Sequence, residues 1–225
     1  LQMVNGGNGA LLGGVPGVLP GKVVILGAGT VGRQSARMAM GLGADVVLLD
    51  INLERLRALD DLFAPPLKTC YSSAHAIAEL TAAADLVVGS VLIPGKRAPK
   101  LLSRETVRRM KPGAALVDVA IDQGGCAETS RPTTHSHPLY IEEGVVHYCV
   151  TNMPAACART STQALTNATL PYILRLAAAE AMTALRDDAG LRGGLNTYRG
   201  QLTNACVAED LGLPFATAAS ALRSP

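Results

Sequence analysis

Gly27-Ala28-Gly29-Thr30-Val31-Gly32 is the stretch of this 225-residue chain whose spacing speaks most directly of chemistry. It has the form G-x-G-x-x-G, weak as a bare string. Here an apolar run, Lys22–Leu26, leads straight into it and a helical pattern leaves it from Val31. In that setting Gly27 permits a tight strand-to-helix turn. Gly29 removes a side chain so that backbone can approach a pyrophosphate, and Gly32 lets the helix pack close to the sheet. The helix N-terminus offers unpaired N–H groups and a partial positive charge, which together attract a diphosphate. All six turn residues are therefore candidates for dinucleotide binding. Asp50 ends the next apolar run, 18 residues beyond Gly32. A carboxylate about 20 residues on accepts both ribose hydroxyls and repels a 2′-phosphate, which favours NAD over NADP. Arg55 is of the type that accepts a 2′-phosphate, but Asp50 holds the strand-end position. The plainer reading is that the glycines only turn the chain and Asp50 caps a helix. Strand, turn, helix, second strand and acid in that order argue against it.

Asp122 is the other candidate for chemistry. It follows a buried run and precedes Gln123-Gly124-Gly125. A carboxylate there either caps the loop or acts as a general acid or base, and the residues alone leave both open. His135 and His137 flank Ser136 without a nearby third ligand, so they read as surface loop residues and no metal is expected. His75 and His147 carry no spacing signal. Asp60-Asp61 and Asp187-Asp188 read as solvated helix faces or ends. Cys70, Cys126, Cys149, Cys157 and Cys206 form no C-x-x-C pair. They read as free thiols in a reducing compartment.

The elements that must hold these residues alternate. Strands are expected at Lys22–Leu26, Val46–Leu49, Thr69–Tyr71, Ala84–Val91, Ala114–Ala120 and Val145–Val150, about six in all. Helices are expected at Val31–Leu42, ended by Gly43; from an Asn52 cap to Phe63, stopped by Pro65-Pro66; at Ala74–Ala83; and at Arg104–Met110 behind a Ser103 cap. Such alternation gives right-handed βαβ crossovers and an α/β, Rossmann-type doubly wound parallel sheet. Residues 1–21 read as a Gly-rich linker, 22–158 as the dinucleotide-binding domain, and 159–225 as a helical segment belonging to a second domain. That segment is expected to be helical over 160–188 and again around Asn204–Leu211, with no repeat of the strand pattern.

Composition bounds the rest. Hydrophobic residues are 48% and charged residues 17%, ample for a buried core. Aromatics are 3% with no Trp, so Val, Leu, Ile and Ala must fill it, as in buried parallel sheets. A net charge of +2 gives no reason to expect nucleic acid or a membrane surface as partner. No run approaches the roughly 18 uninterrupted apolar residues of a membrane span, and no leader pattern opens the chain. A soluble, cytoplasmic protein is expected. The first residue is Leu1 rather than Met, which hints that something upstream has been removed.

Several longer segments go together. They are Leu11-Leu-Gly-Gly-Val-Pro-Gly17, Val91-Leu-Ile-Pro-Gly-Lys-Arg-Ala-Pro-Lys-Leu101 and Met110-Lys-Pro-Gly113, then Val117-Asp-Val-Ala-Ile-Asp-Gln-Gly-Gly125 and Glu128-Thr-Ser-Arg-Pro-Thr-Thr-His135. Val146-His-Tyr-Cys-Val-Thr-Asn-Met-Pro154, Arg159-Thr-Ser-Thr162 and Ala164-Leu-Thr-Asn-Ala-Thr-Leu-Pro-Tyr172 follow. Together they resemble the alanine dehydrogenases over nearly the whole chain. The related transhydrogenase subunit shares I-P-G-K-x-A-P-K, but the Ala-Ile-Asp-Gln-Gly-Gly and Thr-Ser-Arg-Pro-Thr-Thr-His segments look like the alanine enzymes.

The resemblance implies reversible, NAD-dependent oxidation of L-alanine to pyruvate and ammonia, by a homo-oligomer that the family makes a hexamer. It places Thr30, Asp50, Arg55, Ser72, Val91, Leu92, Val119, Ala120, Ile121, Asp122, Arg131, Val150, Thr151, Asn152 and Met153 around the cofactor, with Asp122 as a catalytic proton relay. Val91, Ala120 and Val150 stand at expected strand ends, where apolar groups can hold a nicotinamide and exclude water. The family's catalytic His, and the Lys and Arg that grip the substrate, belong to a domain preceding these residues. Some members bind a metal through an acid and a His on the long helix; Leu174-Arg-Leu-Ala-Ala-Ala179 supplies neither. The competing functions are a non-catalytic NAD(H)-binding module and the NAD-binding subunit of a transhydrogenase.

Overall fold

A computed structural model describes residues 1–63, 65–178 and 181–223. The chain divides into two compact units. One comprises Leu1–Leu92 and Arg97–Met153; the other comprises Ile93–Lys96 and the chain from Pro154 onward.

In the first unit the elements run β1 (Lys22–Leu26), α1 (Thr30–Gly41), β2 (Asp45–Asp50), α2 (Leu53–Phe63), β3 (Lys68–Tyr71) and α3 (Ala74–Ala82). They continue with β4 (Leu86–Gly89), α4 (Arg104–Arg108), β5 (Ala115–Asp118), β6 (Leu139–Glu142) and β7 (Val145–Tyr148). The sheet order is β3-β2-β1-β4-β5-β7-β6. All neighbours are parallel except β6 and β7. The order reverses between β1 and β4, which makes the doubly wound Rossmann pattern and puts the switch point at their C-terminal ends.

Alternation along β1 shows why both faces must be covered. Val23 and Ile25 join Ala36, Ala39, Leu56 and Leu59 in one core. Val24 and Leu26 join Ile77, Val107, Met110 and Leu116 in the other. A strand buried on both sides reads as a continuous apolar run, which is how β1 stands in the sequence. Helix starts follow the expected chemistry. Arg55 N–H donates to Asn52 Oδ1 at 3.0 Å, and Thr106 N–H to Ser103 Oγ at 3.1 Å.

Three expectations are corrected. The strands expected to reach Val91, Ala120 and Val150 stop at Gly89, Asp118 and Tyr148. The sharpest stop is at Asp118, whose side chain accepts the Ala120 N–H and turns Val119–Gln123 into a 3-10 helix. Among the described residues the sheet has seven strands rather than about six. The unforeseen one, β6, is four residues long and returns through Glu143 (φ 51) and Gly144 (φ 76), a pair of left-handed residues suited to a two-residue hairpin.

The second unit begins with α5 (Ala158–Ala178) and α6 (Ala181–Asp187). Ala179 and Glu180, inside the expected helix, lie outside the described residues. Next come α7 (Ala189–Gly193), β8 (Thr197–Tyr198), β9 (Gln201–Leu202), α8 (Ala205–Leu211) and α9 (Ala218–Ala221). The β8–β9 hairpin is the third correction, since no strand was expected there; Arg199 (φ 46) and Gly200 (φ 77) form its turn. Helix α5 buries none of its residues within the chain, and Leu165, Tyr172, Ile173 and Leu174 are all exposed.

Candidate dinucleotide site

The turn after β1 is shaped by what the glycines lack. Gly27 has φ +107, in the region glycine tolerates, and a β-carbon there would press on the Ser90 backbone at 3.0 Å. A methyl at Gly32 would overlap the Gly27 carbonyl. The Ser90 hydroxyl closes the arrangement, donating to Leu26 O at 2.9 Å and to Gly27 O at 3.0 Å. Nothing in the sequence pattern marked Ser90, which simply follows an apolar strand.

A dinucleotide fits this turn on three counts. Among the described residues no side chain caps α1, and its first turn holds no acid. Its leading N–H groups are left for an external acceptor. By contrast α3, α4 and α8 are capped by Ser73, Ser103 and Asn204. A β-carbon at Gly29 would meet nothing within 4 Å, so the space over the helix start is open. Asp50 ends β2 beside the turn. Its Oδ2 accepts Ala28 N–H at 2.6 Å and its Oδ1 accepts Asn52 N–H at 2.7 Å. Each carboxylate oxygen keeps a further lone pair, so the group that braces the turn can also accept sugar hydroxyls. The exposed Arg55 guanidinium lies 4.0 Å from it.

The other sequence-predicted residues follow neighbouring strand ends. Ser72 follows β3, with its N–H on Asp50 O at 3.0 Å. Val91 and the exposed Leu92 follow β4. Val119, Ala120, Ile121 and Asp122 form the 3-10 turn after β5; Ala120 and Ile121 are buried while Asp122 is exposed. Val150, Thr151, Asn152 and Met153 follow β7, with Val150 buried. Arg131 is exposed at the far end of the β5 loop. Strand order thus brings these positions to the C-terminal side of the sheet, where such sheets bind ligands. A concavity of about 960 Å³ lies instead at the opposite end of the sheet, lined by residues that include Lys22, Asp45, Lys68, Asp85 and Lys111.

The β5 loop is organised by Asp118, four residues before the acid that drew attention in the sequence. Asp118 is wholly buried. It accepts Ala120 N–H at 3.1 Å, Cys126 N–H at 2.8 Å and the Ser130 hydroxyl at 2.5 Å. Burial, and then the Asp118 charge and its hydrogen bond, push the Cys126 thiol well above its ordinary pKa, so Cys126 is an inert packing group. The segment Ala98–Leu102 braces the loop from outside. Ala98 N–H donates to Gln123 O at 2.8 Å, and Lys100 Nζ reaches Gly124 O at 2.6 Å and Ala127 O at 3.0 Å. This gives the Ala98-Pro-Lys100 part of that segment a physical role. His135 and His137 are exposed, and His135 Nε2 lies 3.1 Å from Asn152 O.

Comparison with known proteins agrees with this geometry. Residues 1–205 match the family model described as "Alanine dehydrogenase/PNT, C-terminal domain". An alanine dehydrogenase of Halomonas elongata is 54% identical over 98% of this chain, and the chain spans 59% of that relative's length. A solved L-alanine dehydrogenase superposes with TM-score 0.83 at 51% identity, covering 92% of this chain and 57% of that one. A transhydrogenase structure from Sinorhizobium meliloti gives TM-score 0.59 at 28% identity, covering 68% and 44%. Rossmann sheet, Gly-rich turn and matching residues converge: the chain belongs to the alanine dehydrogenase/PNT family, as its C-terminal domain.

Proposed function

We propose that this chain is the NAD-binding domain of an L-alanine dehydrogenase, which converts L-alanine reversibly to pyruvate and ammonia. The observation that carries the proposal is the uncapped start of α1 behind Gly29, set where the strand order reverses, with Asp50 at the neighbouring strand end. NAD, when bound, supplies the hydride acceptor. The N–H groups of Thr30, Val31 and Gly32 hold the diphosphate, and Asp50 accepts the ribose hydroxyls. Ala120, Ile121 and Val150 are buried, so they contribute backbone and a dry floor. Val91, Leu92 and Met153 exclude water. The exposed Asp122 carboxylate takes and returns a proton on the substrate side. The relatives' greater length is assigned the remaining substrate-holding groups. The working protein is proposed to be a cytoplasmic homo-oligomer, a hexamer by family likeness.

The test is NADH formation by the full-length protein on adding L-alanine and NAD, with NADP in parallel. Asp122→Asn is expected to lower kcat about 100-fold or more while NADH Kd stays within about twofold. Absence of NADH binding, or turnover that ignores alanine, would sink the proposal. A transhydrogenase subunit would instead exchange hydride between two nucleotides without alanine. The identities, 51% to the alanine enzyme and 28% to the transhydrogenase, favour the first.

A further inference from the structure

Gln123 has a fixed backbone and an idle side chain. Its carbonyl accepts Ala98 N–H at 2.8 Å, and the next carbonyl, Gly124 O, takes the Lys100 ammonium at 2.6 Å. Gly124 N–H returns to Ile121 O at 2.9 Å and closes the 3-10 turn. The Gln123 amide oxygen is buried with no hydrogen-bond partner, alone in this among the side-chain oxygens and nitrogens of the described residues. The other buried polar side chains of this loop are paired: Asp118 with Ala120, Cys126 and Ser130, and Thr129 with His147. A buried acceptor left unpaired costs folding free energy, and native proteins leave very few. Leu or Met would fill the same place without that cost, so folding does not account for an amide here.

The 3-10 turn stands beside the switch point. Ser90 touches the Gly-rich turn, and Val91, the next residue, packs against Ala120 and Cys126 of the β5 loop. Only β4 separates β5 from β1. In a doubly wound sheet a dinucleotide lies across the crevice where the strand order reverses. Asp50, at the end of β2, takes the adenosine half. The nicotinamide and its ribose are thereby directed over β4 and β5. We propose that Gln123 is a cofactor-contact residue whose amide accepts an N–H or O–H from the nicotinamide–ribose half of the bound nucleotide. The inference rests on the nucleotide reading of the cleft and adds a contact to it. The donors on that half are the ring carboxamide and the ribose hydroxyls. An amide with no partner to give up loses no hydrogen bond when its side chain turns toward a donor. Nucleotide binding then relieves a cost that folding leaves standing.

Gln123→Met, similar in length and without an amide, tests this in the full-length protein. By fluorescence titration NADH Kd is expected to rise about three- to tenfold, the scale of one hydrogen bond, while the ligand-free thermal midpoint stays level or rises. ADP, which carries only the adenosine half, should bind wild type and variant alike. ADP-ribose adds the second ribose without the ring and so separates the donors: a weakened Kd assigns the ribose hydroxyls, an unchanged one the carboxamide. Gln123→Leu serves in the same titrations if the Met variant does not fold. An unchanged NADH Kd, or an equal loss for ADP, overturns the contact and leaves the role of the Gly-rich turn intact. A ligand-free midpoint several degrees lower in both variants also overturns it, because the amide then has a partner within the protein. Wild-type protein that fails to bind NADH removes the nucleotide reading itself.

Discussion

The turn after β1 and the loop after β5 emerge on the same side of the sheet and are built in opposite ways. The turn is made by omission: a side chain at Gly32 would strike the Gly27 carbonyl, and one at Gly27 would press on Ser90. The loop is made by insertion: a buried carboxylate at Asp118 gathers N–H and hydroxyl donors from Ala120, Cys126 and Ser130. Omission leaves a readable spacing in the sequence. Insertion leaves one Asp that looks like any other.

Substitutions can break this contrast or sharpen it. The largest effect is expected at Gly32→Ala, where backbone must move; a loss of about 3 kcal/mol or more is expected in urea unfolding of the full-length protein. Stability within about 0.5 kcal/mol of wild type would show that the turn tolerates a side chain. Asp118→Asn keeps the shape but turns an amide nitrogen or a neutral oxygen toward the donors, and about 2 kcal/mol is expected from the same measurement. Asp50→Asn should weaken NAD about tenfold, roughly 1.4 kcal/mol, and narrow the margin over NADP in paired Kd measurements. An unchanged NAD/NADP ratio would reduce Asp50 to a brace of the turn. Lys100→Met should cost about 1 kcal/mol or less, seen as a lower kcat with NADH Kd preserved.

The smallest effect lies away from both features. Burial raises the Asp85 carboxyl, but the Lys111 side chain, the Lys22 N–H and Asn8 outweigh it and leave its pKa lowered from 3.8. A depressed folded pKa gives stability that is complete above the unfolded value and lost as pH falls through the folded one. Wild type and Asp85→Asn should therefore differ most near neutral pH and converge below about pH 4 in acid unfolding. A gap that stays constant with pH would assign the effect to shape alone.

These contrasts also explain what could be read from the letters. Strand β1, the turn and Asp50 were legible because burial on both faces and missing side chains impose a pattern. Asn52 and Ser103 were legible as caps because capping is local chemistry. The overrun of β5 to Ala120 was not, because Val119 and Ala120 are apolar and only the Asp118–Ala120 hydrogen bond breaks the strand. Strand β6 has four residues and no long apolar run; the Glu143-Gly144 pair was its one available signal. Asp118 and Asp122 are the same residue type four positions apart; one is buried and the other exposed, a difference that only the tertiary fold sets. Tyr140 joined no motif, because its partners His147 and Arg131 meet it only through the hairpin.

Gly29 differs from its two neighbours in the turn. Its φ of −72° is one any amino acid adopts, and its missing β-carbon would touch nothing within 4 Å. Folding sets no condition on this position; Ser or Asp there would even cap the helix. A library sorted only for resistance to unfolding should drift away from glycine at 29 while keeping it at 32. A library sorted for retention of the nucleotide should keep both. The gap between the two sorted populations would separate the residues the polypeptide requires for itself from those it reserves for its guest.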